Sequence, residues 1–249
     1  MLHNLSQQFD RIATEIREDR LNIGRKSYAT SLMYGVHEAL LCGYDKISAI
    51  ELGVARGAGI IDMCCAADYF EKEFGIGIEI YGFDTGSGMP ASQDYRDHPE
   101  LWRSGDFAMA PDSDISLPSR AKLIIGNVSE TIPEFAQNFT GARIGFVSID
   151  LDYYSSTVSA MPLFELAPDN YLPAVPVHVD DMNSHLCYNP WCGESAAIAE
   201  FNQTHTYRKF EEKHKCWHQD NFHVFHVFDH PFRNGTISPP NFIHITPPV

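Results

Sequence analysis

The chain has 249 residues, 44% of them apolar, with a mean hydropathy of −0.23, which is enough to bury a substantial core and argues against disorder. No run approaches the roughly 18 apolar residues of a membrane span, and MLHNLSQQFD lacks the basic start and apolar core of a signal peptide, so the expectation is a cytoplasmic protein with no membrane partner. A formal charge of −15, from 33 acidic against 18 basic residues, would repel a phosphate backbone and argues against nucleic acid as a partner.

Six cysteines stand at 42, 64, 65, 187, 192 and 216. The adjacent Cys64 and Cys65 fall in an apparent helix and read as thiols of a reducing compartment. CYNPWC and the later CWH match no closed four-ligand zinc spacing. Twelve histidines make the charge balance sensitive to pH just below neutrality.

Residues 5–20 and 25–41 carry apolar side chains three and four apart and predict two helices, so that 1–45 reads as an N-terminal helical segment of a single 1–249 domain. KISAIELG is short and β-branched, a first strand ending in a glycine-bearing turn at 53–59; IIDMCCAADYFEKEF then predicts a helix. IEIYGFD is the second strand and ends at Asp84. From TGSGMP to Leu117 the chain is polar, aromatic and broken by Pro90, Pro99 and Pro111. A connection this long inside a compact domain predicts a substrate lid over 85–117.

AKLIIGN is the third strand, SETIPEFAQNF a short helix and ARIGFVSID the fourth strand. SSTVSAMPLFELA reads as a helix bent or bounded at Pro162, and VPVHVDD as the fifth strand. ESAAIAEFNQTHTYRKFEEK predicts one amphipathic helix. FHVFHVF at 222–228 and NFIHIT at 241–246 predict two closing strands, paired antiparallel at the sheet edge. The rhythm is that of a doubly wound α/β domain with a seven-stranded, mostly parallel sheet and its sites at the carboxyl ends of the strands.

Those strand ends carry the chemistry. Gly53, Gly57 and Gly59 follow the first strand, and Asp84 stands at the tip of the second, where a carboxylate can accept both hydroxyls of an adenosine ribose. Glu51, immediately before the turn, would oppose a pyrophosphate and suits an ammonium group, so a cofactor with an amino acid end and an adenosine end fits better than a dinucleotide.

The blocks ELGVARGAG, YGFDTGSGMP, GNVSETIP, SIDLDYYSSTVSAM, VHVDDM and GESAAIAEF, in this order over roughly 46–201, resemble a class I S-adenosylmethionine-dependent methyltransferase of the Rossmann-like type. More narrowly, they resemble the macrocin O-methyltransferase family of sugar-modifying enzymes. The resemblance implies S-adenosylmethionine as cofactor, with Glu51 and Gly53 along its methionine part, Asp84 on the ribose, and Asn127 and Val128 bordering the adenine. Asn127 reads equally as a helix cap shared with Ser129.

Asp150 ends the fourth strand, and Asp180 with Asp181 ends the fifth. Neighbouring parallel strands run about 5 Å apart, so the three carboxylates can converge on one ion, and all-oxygen ligation points to Mg²⁺, with Mn²⁺ or Ca²⁺ as alternatives. The same positions match the metal ligands of divalent-cation-dependent O-methyltransferases. Asp152 can face the pocket, ligate through water or cap the next helix. Catechol-type relatives commonly place a lysine base three residues after the first aspartate, where this chain has Tyr153; with Asp150, Tyr153 and the loop residue His185 form the catalytic set, and His178 is the other histidine beside the acidic pair.

Tyr95, Trp102, Phe107 and Trp191 are the candidate aromatic walls for a substrate. The activity implied by the resemblance is O-methylation of a small-molecule hydroxyl, a sugar of a glycosylated natural product, by an enzyme that can form a homo-oligomer. The alternatives are a catechol-type O-methyltransferase and a catalytically silent methyltransferase-like domain serving a protein partner.

Overall fold

The computed structural model describes residues 2–109, 117–182, 188–213, 221–233 and 235. Two helices open the chain, α1 (Leu2–Arg17) and α2 (Lys26–Cys42), the latter closed by Gly43 in the left-handed conformation. The strands then follow as β1 (Lys46–Leu52), β2 (Gly77–Asp84), β3 (Ala121–Ile125), β4 (Ile144–Ile149), β5 (Ala174–Val179), β6 (Arg208–Glu212) and β7 (Phe222–Val227). Between them run α3 (Ala58–Phe74), α4 (Val128–Asn138), α5 (Tyr154–Ala160) and α6 (Gly193–Thr204). No described helix is long and apolar enough to cross a membrane.

One seven-stranded sheet has the order β3-β2-β1-β4-β5-β7-β6. Strands β1 to β5 are parallel, and β7 runs against both β5 and β6. Every residue of β4, and all of β1 after Lys46, is buried, as expected of strands covered on both faces by helices. The strand order reverses between β1 and β4, and at such a switch point the connections leave in opposite directions and open a crevice at the carboxyl ends.

Helix α2 lies against the middle of this sheet. A Cβ on Gly35 would stand 2.1 Å from the Gly145 carbonyl oxygen, so glycine at 35 is what allows the helix to approach β4 this closely. The approach brings the start of α2 over the switch point.

Two expectations are corrected. The segment read as one helix from ESAAIAEF to FEEK breaks at Thr204, and RKFEE becomes strand β6, with Arg208 and Phe210 buried on one face by the period of two. Arg208 is the reason: its guanidinium donates to Asp229 Oδ1 at 2.7 Å and to the Phe164 and Leu166 carbonyls, which ties the strand into the core. The antiparallel edge pair is therefore β6 with β7, while the strand expected at 241–246 lies outside the described residues. At Pro162 the helix gives way to a 3₁₀ turn, Met161–Phe164, as the proline requires.

Candidate active site

Backbone hydrogen bonds lace the carboxyl ends of the strands together: Gly53 N–H to Phe83 O, Asp150 N–H to Leu52 O, Asp180 N–H to Ile149 O, at 2.9, 2.9 and 3.0 Å. Over these ends lies a cavity of about 250 Å³. Gly53, Asp84, Asn127, Val128, Asp150, Asp180 and Asp181 all line it, so the structure brings together seven of the site residues expected from the sequence.

The turn after β1 passes through left-handed conformations at Gly53 (φ 87°), Ala55 (47°) and Gly57 (83°). At Gly53 a Cβ would fall 1.8 Å from the Asp150 carbonyl oxygen, so glycine is required both for its φ and for the approach of β4. Asp84 holds this turn in place. Its Oδ2 accepts the Val54 and Ala55 N–H groups at 3.0 and 2.8 Å, and its Oδ1 accepts Gly86 N–H at 2.6 Å. Asn127 caps α4 through Ser129 N–H at 3.0 Å and also lines the cavity.

Glu51 sits one layer behind the wall, 1% exposed, against Gly59 and Tyr28. Burial, reinforced by the charge of Asp150, pushes its carboxyl well above the usual range, and its Oε2 has no hydrogen-bond partner among the described residues.

The acidic group is larger than the sequence reading anticipated. Asp150 is pushed up to about 7 by burial and by Asp180, although Arg25 Nη1 lies 3.1 Å from its Oδ2. Asp180 goes the other way, because His178 Nε2 stands 3.2 Å from its Oδ1. Burial and a hydrogen bond with Asp181 push Asp152 up to about 10. Asp152 lines the cavity and caps nothing: Tyr153 occupies the N-cap position of α5 without a side-chain bond.

Behind these, fully buried Glu194 accepts Leu151 N–H at 2.8 Å and Asp181 N–H at 3.3 Å, with its carboxyl raised well above the usual range by burial and Asp181. Such a group needs cations. The donor set is carboxylate only, the chemistry of a hard divalent ion, yet among the described residues no three His, Cys, Asp or Glu side chains stand ready as a metal site, and the cation now on Asp150 is Arg25.

Other expected residues fall elsewhere. Tyr153, expected in the catalytic set, is wholly buried and does not line the cavity, and burial and the charge of Asp97 raise its hydroxyl above the ordinary tyrosine value. His185 lies outside the described residues. His178 is buried edge-on to Tyr28. Of the aromatics, Trp102 and Phe107 line the cavity, whereas Tyr95 and Trp191 are 78% and 74% exposed and do not.

Three charged neighbours of these elements escaped the sequence reading. Arg25 enters from the start of α2, Glu194 from the first turn of α6, and Asp97 from the long connection, where it is 0% exposed and ties that connection to α5. A GES triplet opening an apolar helix was a visible sign for Glu194, since a carboxylate there must face a donor; Arg25 had no local sign.

No family model matches the chain, and no curated protein matches it. Solved structures do. The crystal structure of CalS11, a calicheamicin methyltransferase, is 18% identical, with a TM-score of 0.58 over 89% of this chain and 91% of its own. An apo structure of CalS11, described as a TDP-rhamnose 3'-O-methyltransferase of calicheamicin biosynthesis, gives 18% identity and a TM-score of 0.48 over 89% and 93%. The O-methyltransferase TomG from Streptomyces achromogenes, involved in tomaymycin synthesis and in complex with SAM, gives 11% and 0.43 over 88% and 89%. The likeness to the first establishes the fold: a Rossmann-like, methyltransferase-type seven-stranded sheet.

Proposed function

We propose that the chain is an S-adenosylmethionine-dependent O-methyltransferase acting on a small-molecule hydroxyl, a sugar hydroxyl of a glycosylated natural product. The observation that carries this reading is the meeting, in one cavity at the switch point, of a glycine turn, a strand-end aspartate for a ribose and a cluster of carboxylates facing the same space. A cofactor bearing an ammonium and a sulfonium suits that charge. The fold shared with CalS11, itself described as a sugar 3'-O-methyltransferase, supports the choice of acceptor.

In this reading Gly53 runs beside the methionine part, with the buried Glu51 directly behind the turn. Asp84, its carboxylate already fixed by three amides, offers its remaining lone pairs to the ribose hydroxyls, and Asn127 with Val128 borders the adenine. A divalent ion held by Asp150, Asp180 and Asp181, Mg²⁺ first, would lower the pKa of an acceptor hydroxyl bound to it. Bound there, S-adenosylmethionine would supply the activated methyl group and keep the sulfur electron pair as leaving group, and a lining carboxylate would take the proton of the acceptor hydroxyl. Because the sulfonium leaves readily, the protein's part is orientation and exclusion of water, for which Trp102, Phe107 and Met89 form the wall.

Incubation with methyl-labelled S-adenosylmethionine over a panel of nucleotide sugars, glycosides and catechols, with Mg²⁺ or with EDTA, tests the assignment. Mg²⁺-dependent label in a sugar supports it; transfer confined to catechols would replace the acceptor class, and no transfer to any member would remove the enzymatic reading.

A further inference from the structure

Among the described residues that line the cavity, Arg25 is the one cation, set against the carboxylates of Asp84, Asp150, Asp152, Asp180 and Asp181. The cofactor proposed above has the inverse balance at its amino acid end: two cationic groups, the ammonium and the sulfonium, and one carboxylate. Two cations answer the acidic wall. The carboxylate needs a cation of its own, and the wall offers one.

We infer that Arg25 is the receptor for the α-carboxylate of the cofactor, which replaces Asp150 as the partner of the guanidinium. The inference rests on reading the cavity as an S-adenosylmethionine site.

Arg25 is built for such an exchange. Its backbone is fixed, because Asp62 on α3 accepts Arg25 N–H at 2.8 Å and Gly24 N–H at 3.2 Å, and α3 is the helix that starts from the glycine turn. The root of the side chain therefore keeps its register with Gly53. The head is less constrained: its side chain is 37% exposed, and it rests 5.1 Å from the centre of the Tyr28 ring. Both of its side-chain hydrogen bonds leave from one nitrogen, Nη1, to Asp150 Oδ2 and to the Tyr28 hydroxyl at 3.1 Å each. Nη2 and Nε are left to donate to a carboxylate through two parallel bonds, the arrangement in which guanidinium and carboxylate match best. Tyr28 is itself locked by Ser148 Oγ–H at 2.7 Å, so it serves as a fixed rest for the guanidinium in either position.

The exchange has a consequence for the acidic wall. Once the guanidinium turns to the cofactor, Asp150 loses its present counter-charge and faces the sulfonium side of the cavity, where a cation is most favoured.

The test compares two ligands on the full chain by calorimetry: S-adenosylhomocysteine and its decarboxylated analogue, which keeps the ammonium and lacks the carboxylate. The wild type should bind S-adenosylhomocysteine roughly 10- to 100-fold more tightly, the value of a charge-assisted hydrogen bond converted at tenfold per 1.4 kcal/mol. In Arg25→Gln the ratio should shrink to within about threefold, while Arg25→Lys keeps part of it because the charge survives without the fork. Because each variant is read as a ratio of two ligands, a general loss of folded protein does not mimic the effect. A wild-type ratio preserved in Arg25→Gln overturns the inference and leaves the cofactor reading standing. Binding of neither ligand by folded wild type overturns both.

Discussion

The Asp97 carboxylate accepts two hydrogen bonds from Ser155, one from the backbone N–H at 2.8 Å and one from the hydroxyl at 3.0 Å. The same carboxylate also accepts Gln93 and Asp94 N–H at 2.8 and 3.0 Å. One buried side chain thus caps α5 from 58 residues away and pins the connection after β2 to the helix that follows Asp150 and Asp152. Asp97→Ala should destabilise the fold by about 2–4 kcal/mol, the cost of a lost cap together with buried amides left unpaired. Urea unfolding measures it, and a change below about 0.5 kcal/mol, the range of an ordinary surface substitution, would contradict the account.

Asp84 has two tasks, and they separate by substitution. Asp84→Ala should weaken S-adenosylhomocysteine binding by about 1–3 kcal/mol, and because Val54 and Ala55 N–H lose their acceptor it should also lower stability. Asp84→Asn keeps one carbonyl oxygen for those amides and should recover stability more fully than affinity. Calorimetry and thermal unfolding on the same preparations read both; an unchanged dissociation constant in Asp84→Ala would exclude the ribose role.

Asp180→Ala and Asp181→Ala should each abolish most Mg²⁺-stimulated methyl transfer while S-adenosylhomocysteine binding stays within a few fold of wild type. If either variant transfers methyl groups at the wild-type rate in EDTA, the carboxylates do not hold an ion.

Two carboxylates away from the site fix opposite pH responses. Burial raises Glu38 to about 7 from an ordinary 4.5, with Arg233 opposing. Its folded form holds a proton that the unfolded chain has released, so its contribution is complete below pH 4.5 and is lost as pH rises through about 7. Glu79 is also resisted by burial, but Lys46 Nζ at 2.7 Å and Ala142 N–H bring it down to about 2. Its contribution is present above pH 4.5 and is lost as pH falls through about 2. Glu38→Gln should therefore flatten the decline in stability between pH 4.5 and 7 and leave the acid limb intact, as followed by urea midpoints across pH; an unaltered slope in that window would count against it.

The sequence made β1 to β5 legible because each is a short apolar, β-branched run closed by a turn, and the strand-end residues Gly53, Asp84, Asp150 and Asp180 followed from where such runs stop. Strand β6 was hidden because RKFEE is five residues long and follows a helical period without a break, and its decisive partner, Asp229, lies 21 residues on. Arg25 was hidden for a related reason. It reaches Asp150 across 125 residues from a backbone that Asp62 holds and a helix that Gly35 lets settle on β4, and no local pattern encodes a contact of that range. Tyr153 was expected at the cavity from its place beside Asp150 and Asp152, and the structure instead buries it at the N-cap position of α5, outside the cavity lining.

The most direct measurement is calorimetric titration of the purified chain with S-adenosylhomocysteine, since every functional role assigned to the cavity presupposes that it holds this molecule. The account predicts saturable one-to-one binding that Asp84→Ala weakens. A folded chain that gives no binding heat and no shift in melting temperature with the ligand would contradict it.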